Sequence, residues 1–106
     1  MPKYLLQAAY TAEGAKGLLK EGGTQRRAAV EKSVQQLGVK IEAFYYSLGE
    51  DDVYVIVDAP DATTVAALSM AVNAGGLVRL RTTRLLTVEE VDAATKKKVD
   101  YRGPGR

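Results

Sequence analysis

Two of the four strands that the sequence predicts carry apolar residues on both of their faces. One contains Tyr45 and Tyr46, and the other is the run from Val53 to Val57. A small sheet covered by helices on one side needs only one apolar face, so something else has to cover the second face. The simplest cover is another copy of the chain. The sequence therefore predicts a homodimer or a higher homo-oligomer.

The order of the predicted elements is β-α-β-β-α-β followed by a terminal helix. Alternating apolar residues predict strands at 3–10, 40–48, 52–58 and 78–86. Helices are expected at 12–37 with a break at Gly22-Gly23, at 60–74 and at 87–98, with Thr11, Thr24 and Thr87 as N-caps. This order predicts an α+β, ferredoxin-like fold, with an antiparallel four-stranded sheet and helices on one face.

The length and composition indicate one domain over residues 1–106, with an ordered core at 3–98 and a tail at 99–106. The chain has no Cys and no His, which removes thiol chemistry, His-based acid–base chemistry and the usual ligands of zinc and haem. No metal and no cofactor are expected. A net charge of +2 with dispersed basic residues gives no reason to expect nucleic acid. No segment is typical of a membrane span or a signal peptide, so a cytoplasmic location is expected.

Strand alternation divides the side chains of the sheet between a helix-covered face and an open face. The helix-covered face is expected to hold Leu6, Ala8, Ile41, Ala43, Val53, Val55, Val57, Val78 and Leu80. The open face is then expected to hold Leu5, Gln7, Glu42, Phe44, Tyr46, Tyr54, Ile56, Arg79, Arg81 and Thr83. Apolar patches of this size are often interfaces, so Phe44, Tyr46, Tyr54 and Ile56 are predicted to contact the second copy.

The open face is also the predicted ligand site. Gln7, Tyr46, Tyr54, Arg79 and Arg81 would line a pocket between two copies, in which arginine holds an anionic small molecule and tyrosine orients it. Arg81 could instead pair with Glu42. The predicted function is a small-molecule binding or sensing module. The alternatives are a cofactor-free monooxygenase or isomerase, and a structural assembly protein.

Two further clusters have simpler explanations. Gly23, Thr24, Arg26 and Arg27 form a weak candidate for an anion site, because a helix N-terminus with arginines attracts negative charge. The acidic turn Glu50-Asp51-Asp52 could carry acid–base chemistry, but a turn between two strands is expected to be solvated, with both aspartates ionised.

The sequence also resembles the bacterial GYD domain family over essentially its whole length. The resemblance rests on Met1–Leu5, on Leu19–Gly23 with Arg26-Arg27, on Gly49–Asp58 with Pro60-Asp61, and on the tail. In the hairpin, Gly49 and Asp52 match the Gly-Tyr-Asp signature, while Asp51 stands where the family pattern has Tyr. The resemblance implies a ferredoxin-like domain akin to dimeric α/β-barrel proteins, in a family of unknown function. Related barrel families include cofactor-free monooxygenases, haem enzymes and ligand-sensing modules.

Overall fold

Four antiparallel strands form one sheet in the computed structural model, which describes residues 1–106. The elements in chain order are β1 (Lys3–Tyr10), α1 (Ala12–Glu21), α2 (Gly23–Gln35), β2 (Lys40–Tyr46), β3 (Val53–Asp58), α3 (Ala62–Ala74), β4 (Val78–Leu85) and α4 (Val88–Thr95). The strand order across the sheet is β2-β3-β1-β4. The predicted ferredoxin-like α+β fold is therefore confirmed.

Glycine and threonine set the boundaries of the first two helices. Thr11 caps α1, since its hydroxyl accepts a hydrogen bond from the Gly14 backbone N–H. Gly22 separates α1 from α2 with φ of 84°, a conformation that glycine adopts without steric cost. The prediction of Thr24 as the cap of α2 is wrong, because Gly22 is the N-cap and Thr24 lies inside the helix. None of the helices combines the length and apolarity needed to cross a membrane.

The core lies between the sheet and the helices that cover it. Alternate residues of β3 point into it, so Val53, Val55 and Val57 are almost completely buried while Tyr54 and Ile56 between them are half-buried. The buried cluster comprises Tyr4, Leu6, Val34, Val39, Val53, Val55, Val57, Ala59 and Val65. Helix α2 packs chiefly on the edge strand β2, and α3 packs chiefly on the other edge strand, β4.

A β-bulge in β2 changes the faces on which its side chains lie. Ile41 pairs with Val57, but Ala43 pairs with Ile56, so Glu42 is an extra residue in the ladder. A one-residue insertion sends every following side chain to the opposite face. Phe44 and Tyr46 therefore lie on the helix-covered face, and Ala43 and Tyr45 lie on the open face. The predicted faces of Phe44, Tyr46 and Ala43 are corrected accordingly.

Residues 86–106, here called the C-terminal arm, extend from the end of β4. Its helix α4 has no buried residue, and it ends at Thr95 rather than at the predicted Lys98. The Cα radius of gyration is 17.0 Å and the longest dimension is 56 Å, whereas a compact chain of this length has a radius of gyration of about 13 Å. The nearly complete exposure of the arm accounts for this elongation.

Gly14 provides a test of the contact between α1 and the start of β4. A Cβ on Gly14 would lie 1.9 Å from the carbonyl oxygen of Leu77, and that oxygen already accepts a hydrogen bond of 3.0 Å from the Thr11 backbone N–H. We expect Gly14→Ala to lower the free energy of unfolding by about 1–3 kcal/mol, because backbone has to move. Urea unfolding followed by circular dichroism measures the change.

Gly17→Ala in the same helix is the matched control. A Cβ there meets nothing within 4 Å, so we expect a gain of about 0.5–1 kcal/mol from helix propensity alone. Equal stability of the two variants would contradict the close approach of α1 to Leu77.

Candidate functional site

A row of four polar and aromatic side chains crosses the open face of the sheet. Tyr45 pairs with Tyr54, Tyr54 with Gln7, and Gln7 with Arg81, so one residue from each strand contributes. Tyr45 is 71% exposed, and Tyr54 and Gln7 are half-buried. We call these four residues the polar row. It brings together three of the five predicted ligand-site residues, Gln7, Tyr54 and Arg81. It also contains Tyr45, which would lie on the other face if β2 had no bulge.

The β2–β3 loop folds back over one end of the polar row. The Asp51 carboxylate accepts a hydrogen bond of 3.2 Å from Gln7 Nε2 and pairs with Arg81 Nη2 at 2.5 Å. Asp51 is only 6% exposed, although the sequence predicts a solvated turn. Arg81 thus pairs with Asp51, and the suggested pairing with Glu42 is wrong.

Asp52 anchors the same loop to the neighbouring backbone. Its Oδ2 accepts a hydrogen bond of 2.8 Å from the Tyr10 N–H, and its own N–H donates to the Ala8 carbonyl at 2.8 Å. Both aspartates of the hairpin therefore bind β1: Asp51 contacts the side chain of Gln7, and Asp52 contacts the backbone of Ala8 and Tyr10. This arrangement fixes the loop beside the polar row instead of leaving it free in solvent.

A second charged cluster lies at the opposite end of the open face. Lys3 Nζ contacts Glu42 Oε1 and Asp58 Oδ1, each at 2.8 Å. Hydrogen bonds to Asp58 and then to Glu42 raise the pKa of the Lys3 ammonium. This contact accounts for Glu42, the bulge residue that the sequence offered as a partner for Arg81.

An apolar strip runs between the polar row and the Lys3 cluster. Ala43 pairs with Ile56, Ile56 with Leu5, and Leu5 with Thr83. Leu5, Ala43 and Ile56 are half-buried. The open face is therefore apolar in its middle and charged at both ends, a pattern that suits contact with another protein surface.

Arg79 lies beyond the polar row, opposite Ala9 on β1. It is exposed and has no ion-pair partner, in contrast to Arg81. Of the predicted ligand-site residues, Gln7, Tyr54, Arg79 and Arg81 thus share the open face. Tyr46 lies on the other face, where its hydroxyl donates to the Gly23 carbonyl at 2.9 Å and burial raises its pKa.

The two arginines of the predicted anion cluster at the start of α2 have different surroundings. Arg27 pairs with Glu31 at 2.8 Å, and its guanidinium lies 5.7 Å from the centre of the Phe44 ring. Arg26, also on α2, is half-buried and lines a depression together with Tyr10 at the end of β1. The two arginines do not converge on one anion. No group of three or more Asp and Glu residues converges into a potential metal site either.

The C-terminal arm carries exposed apolar side chains; the sequence predicts its helix and its tail but not this exposure. Val88, Val91, Val99 and Tyr101 are 46–77% exposed. Helix α4 begins with the predicted capping box, in which the Thr87 hydroxyl accepts from the Glu90 N–H at 3.1 Å and Glu90 accepts from the Thr87 N–H at 2.9 Å. The Thr87 backbone and then Arg84 lower the pKa of the Glu90 carboxyl.

This geometry defines a small ferredoxin-like domain with an uncovered sheet face and a projecting C-terminal arm. The chain belongs to the GYD domain family, whose model matches residues 4–95, so the resemblance predicted from the sequence is confirmed. A curated relative, the glutamine synthetase and cystathionine beta-lyase binding protein of Thermus thermophilus, is 30% identical over 97 residues. That alignment covers 91% of this chain and 100% of the relative. No solved structure matches the chain.

The pairing of Arg81 with Asp51 is testable by a double-mutant cycle. Arg81→Met leaves the buried Asp51 carboxylate with Gln7 as its one side-chain partner. Because the Arg81 side chain is 63% exposed, we expect a loss of about 1–2 kcal/mol in the free energy of unfolding rather than the larger penalty of a fully buried pair. Asp51→Asn combined with Arg81→Met should cost less than the sum of the two single changes.

Arg79→Met is the control on the same strand and face, and we expect it to change stability by less than about 0.5 kcal/mol. Chemical denaturation at neutral pH measures all four variants. Strict additivity of the two changes would show that the Asp51–Arg81 contact does not stabilise the fold.

Proposed function

We propose that this protein is a protein-binding module that attaches to metabolic enzymes through its C-terminal arm. The relative from Thermus thermophilus is named for binding glutamine synthetase and cystathionine beta-lyase, and it aligns with this chain over its whole length. The observation that carries the proposal is α4, a helix that buries none of its residues.

The length of α4 is what makes its exposure informative. Isolated helices shorter than about 12–15 residues are only marginally stable in water, and α4 has 8 residues. Its capping box contributes on the order of 1 kcal/mol. Tertiary contacts normally supply the remaining stability, and a docked protein surface would supply them here. Val88 and Val91, three residues apart on one side of α4, are the apolar anchors.

The tail that follows α4 adds charge to this apolar contact. Residues 96–106 contain five basic residues and one acidic residue. Such a segment favours a partner with an acidic surface, and salt should weaken the attraction because exposed charges are screened. The partner surface that we propose is therefore an apolar groove bordered by carboxylates on an enzyme subunit.

Val91→Asp tests the arm as the docking element. We expect it to weaken binding to purified glutamine synthetase or cystathionine beta-lyase at least about tenfold, since an apolar anchor becomes a charge that the interface would have to bury. Biolayer interferometry at low and high salt measures the affinity, and binding by the wild-type protein should fall as salt rises.

Leu19→Asp is the matched control, because Leu19 on α1 is 86% exposed and lies outside the arm. We expect the wild-type affinity for this variant. Equal loss in both variants, or no binding of either enzyme by the wild-type protein, would refute attachment through the arm.

A second candidate function is binding of an anionic small molecule between two copies that meet through their open faces. Its support is Arg79, which is exposed and unpaired on the same face as the polar row. The half-buried Leu5, Tyr54 and Ile56 would form the apolar contact between the copies. Gln7, Tyr54, Arg79 and Arg81 remain the proposed ligand contacts in this scheme.

Tyr54→Glu tests this scheme, because it places a charge in the middle of the proposed contact. We expect the wild-type protein to be a dimer or larger at micromolar concentration by light scattering, and the variant to be monomeric. Arg79→Met should keep the assembly and lose thermal stabilisation by anionic metabolites. A folded wild-type monomer would contradict self-association, and stabilisation that persists in Arg79→Met would contradict the role of Arg79.

A further inference from the structure

A cavity of about 80 Å³ lies on the helix-covered side of the sheet, between α2 and α3. It lies between α2, which packs chiefly on β2, and α3, which packs chiefly on β4. Twelve of its 13 lining residues are apolar. The lining includes Tyr10 and Val55 from the strands, Arg26 and Val30 from α2, and Val72 from α3.

The chemistry of the walls selects an apolar occupant. A buried water needs two to four polar partners, and most of this lining is aliphatic. The polar side-chain groups of the lining are the Tyr10 hydroxyl and the Arg26 guanidinium. An alkyl group would bury the valine and leucine surfaces without losing hydrogen bonds to water.

Arg26 is the one charged residue of the lining. It is half-buried and forms no ion pair, whereas its neighbour Arg27 is paired with Glu31. Glu13 and Glu21 line the adjoining depression with Arg26, but neither is within ion-pair distance of it. A partly desolvated guanidinium gains from an anionic partner, and a carboxylate matches its paired N–H groups.

Tyr10 adds a hydrogen-bond donor beside Arg26. Burial raises the pKa of its phenol, and the nearby Arg26 only partly opposes that effect. The hydroxyl is therefore protonated near neutral pH and available to donate to an anion. Tyr10 is held in place because its backbone N–H donates to Asp52 at 2.8 Å.

We propose that this cavity binds a short-chain alkyl carboxylate. The alkyl chain lies between Val30 of α2 and Val72 of α3, and the carboxylate meets Arg26 and Tyr10. This site goes beyond the proposed function, since it lies on the opposite side of the sheet from the open face and does not involve the C-terminal arm.

The test uses three probes on the full chain. Hexanoate carries both groups, acetate lacks the apolar body, and hexan-1-ol lacks the charge. We expect saturable binding of hexanoate by calorimetry, with weaker binding of acetate and hexan-1-ol. In ¹H–¹⁵N spectra of the wild-type protein, we expect hexanoate to shift the amides of α2, α3 and the end of β1, and not those of the C-terminal arm.

Two substitutions separate the charge from the cavity. Arg26→Met should weaken hexanoate binding by about ten- to a hundredfold, which corresponds to the loss of one charged hydrogen bond. The control is Arg27→Met, because Arg27 is the neighbouring residue but is exposed and paired with Glu31. This control should bind hexanoate as the wild-type protein does. Val72→Phe should fill the cavity and abolish binding. If Val72→Phe fails to fold, the wild-type amide shifts still locate the site. Absence of saturable hexanoate binding, shifts confined to other elements, or equal loss in both arginine variants would overturn the proposal.

Discussion

The β-bulge at Glu42 determines which side chains each face of the sheet presents. By adding one residue to β2, it turns Phe44 and Tyr46 toward the helices and Tyr45 toward the open face. Phe44 then contributes to the packed side of the sheet, and Tyr46 holds the start of α2 through the Gly23 carbonyl. Phe44 also lines the cavity that contains Arg26, so the insertion determines part of that cavity's wall.

The two faces of the sheet are consequently suited to different interactions. The open face has an apolar strip between the Asp51–Arg81 pair and the Lys3 cluster, which suits a macromolecular surface. The helix-covered face has an apolar cavity with one guanidinium in its lining, which suits a small molecule. The C-terminal arm belongs to neither face, and in the proposed function a docked enzyme surface supplies the tertiary contacts that its short helix lacks.

The fold was predictable because its signals are local. Alternation marks β1 and β3, and Thr11 and Thr87 mark the starts of α1 and α4. The bulge was not predictable, because nothing in the sequence of β2 shows that Glu42 would be unpaired; its register depends on β3. Asp51 was missed for a related reason, since its burial requires Gln7 and Arg81 from two other strands. The residue composition of the open face could therefore be predicted for β1, β3 and β4, but not for β2.

Hydrogen exchange of the amides in the C-terminal arm, measured with and without saturating glutamine synthetase, tests whether the arm is the docking element. Helix α4 is short and exposed in this chain, so its amides should exchange quickly in the free protein. If the arm docks on the enzyme, we expect strong protection of residues 88–95 in the complex, with little change in the buried strands. Unchanged exchange of the arm in a complex that demonstrably forms would contradict it.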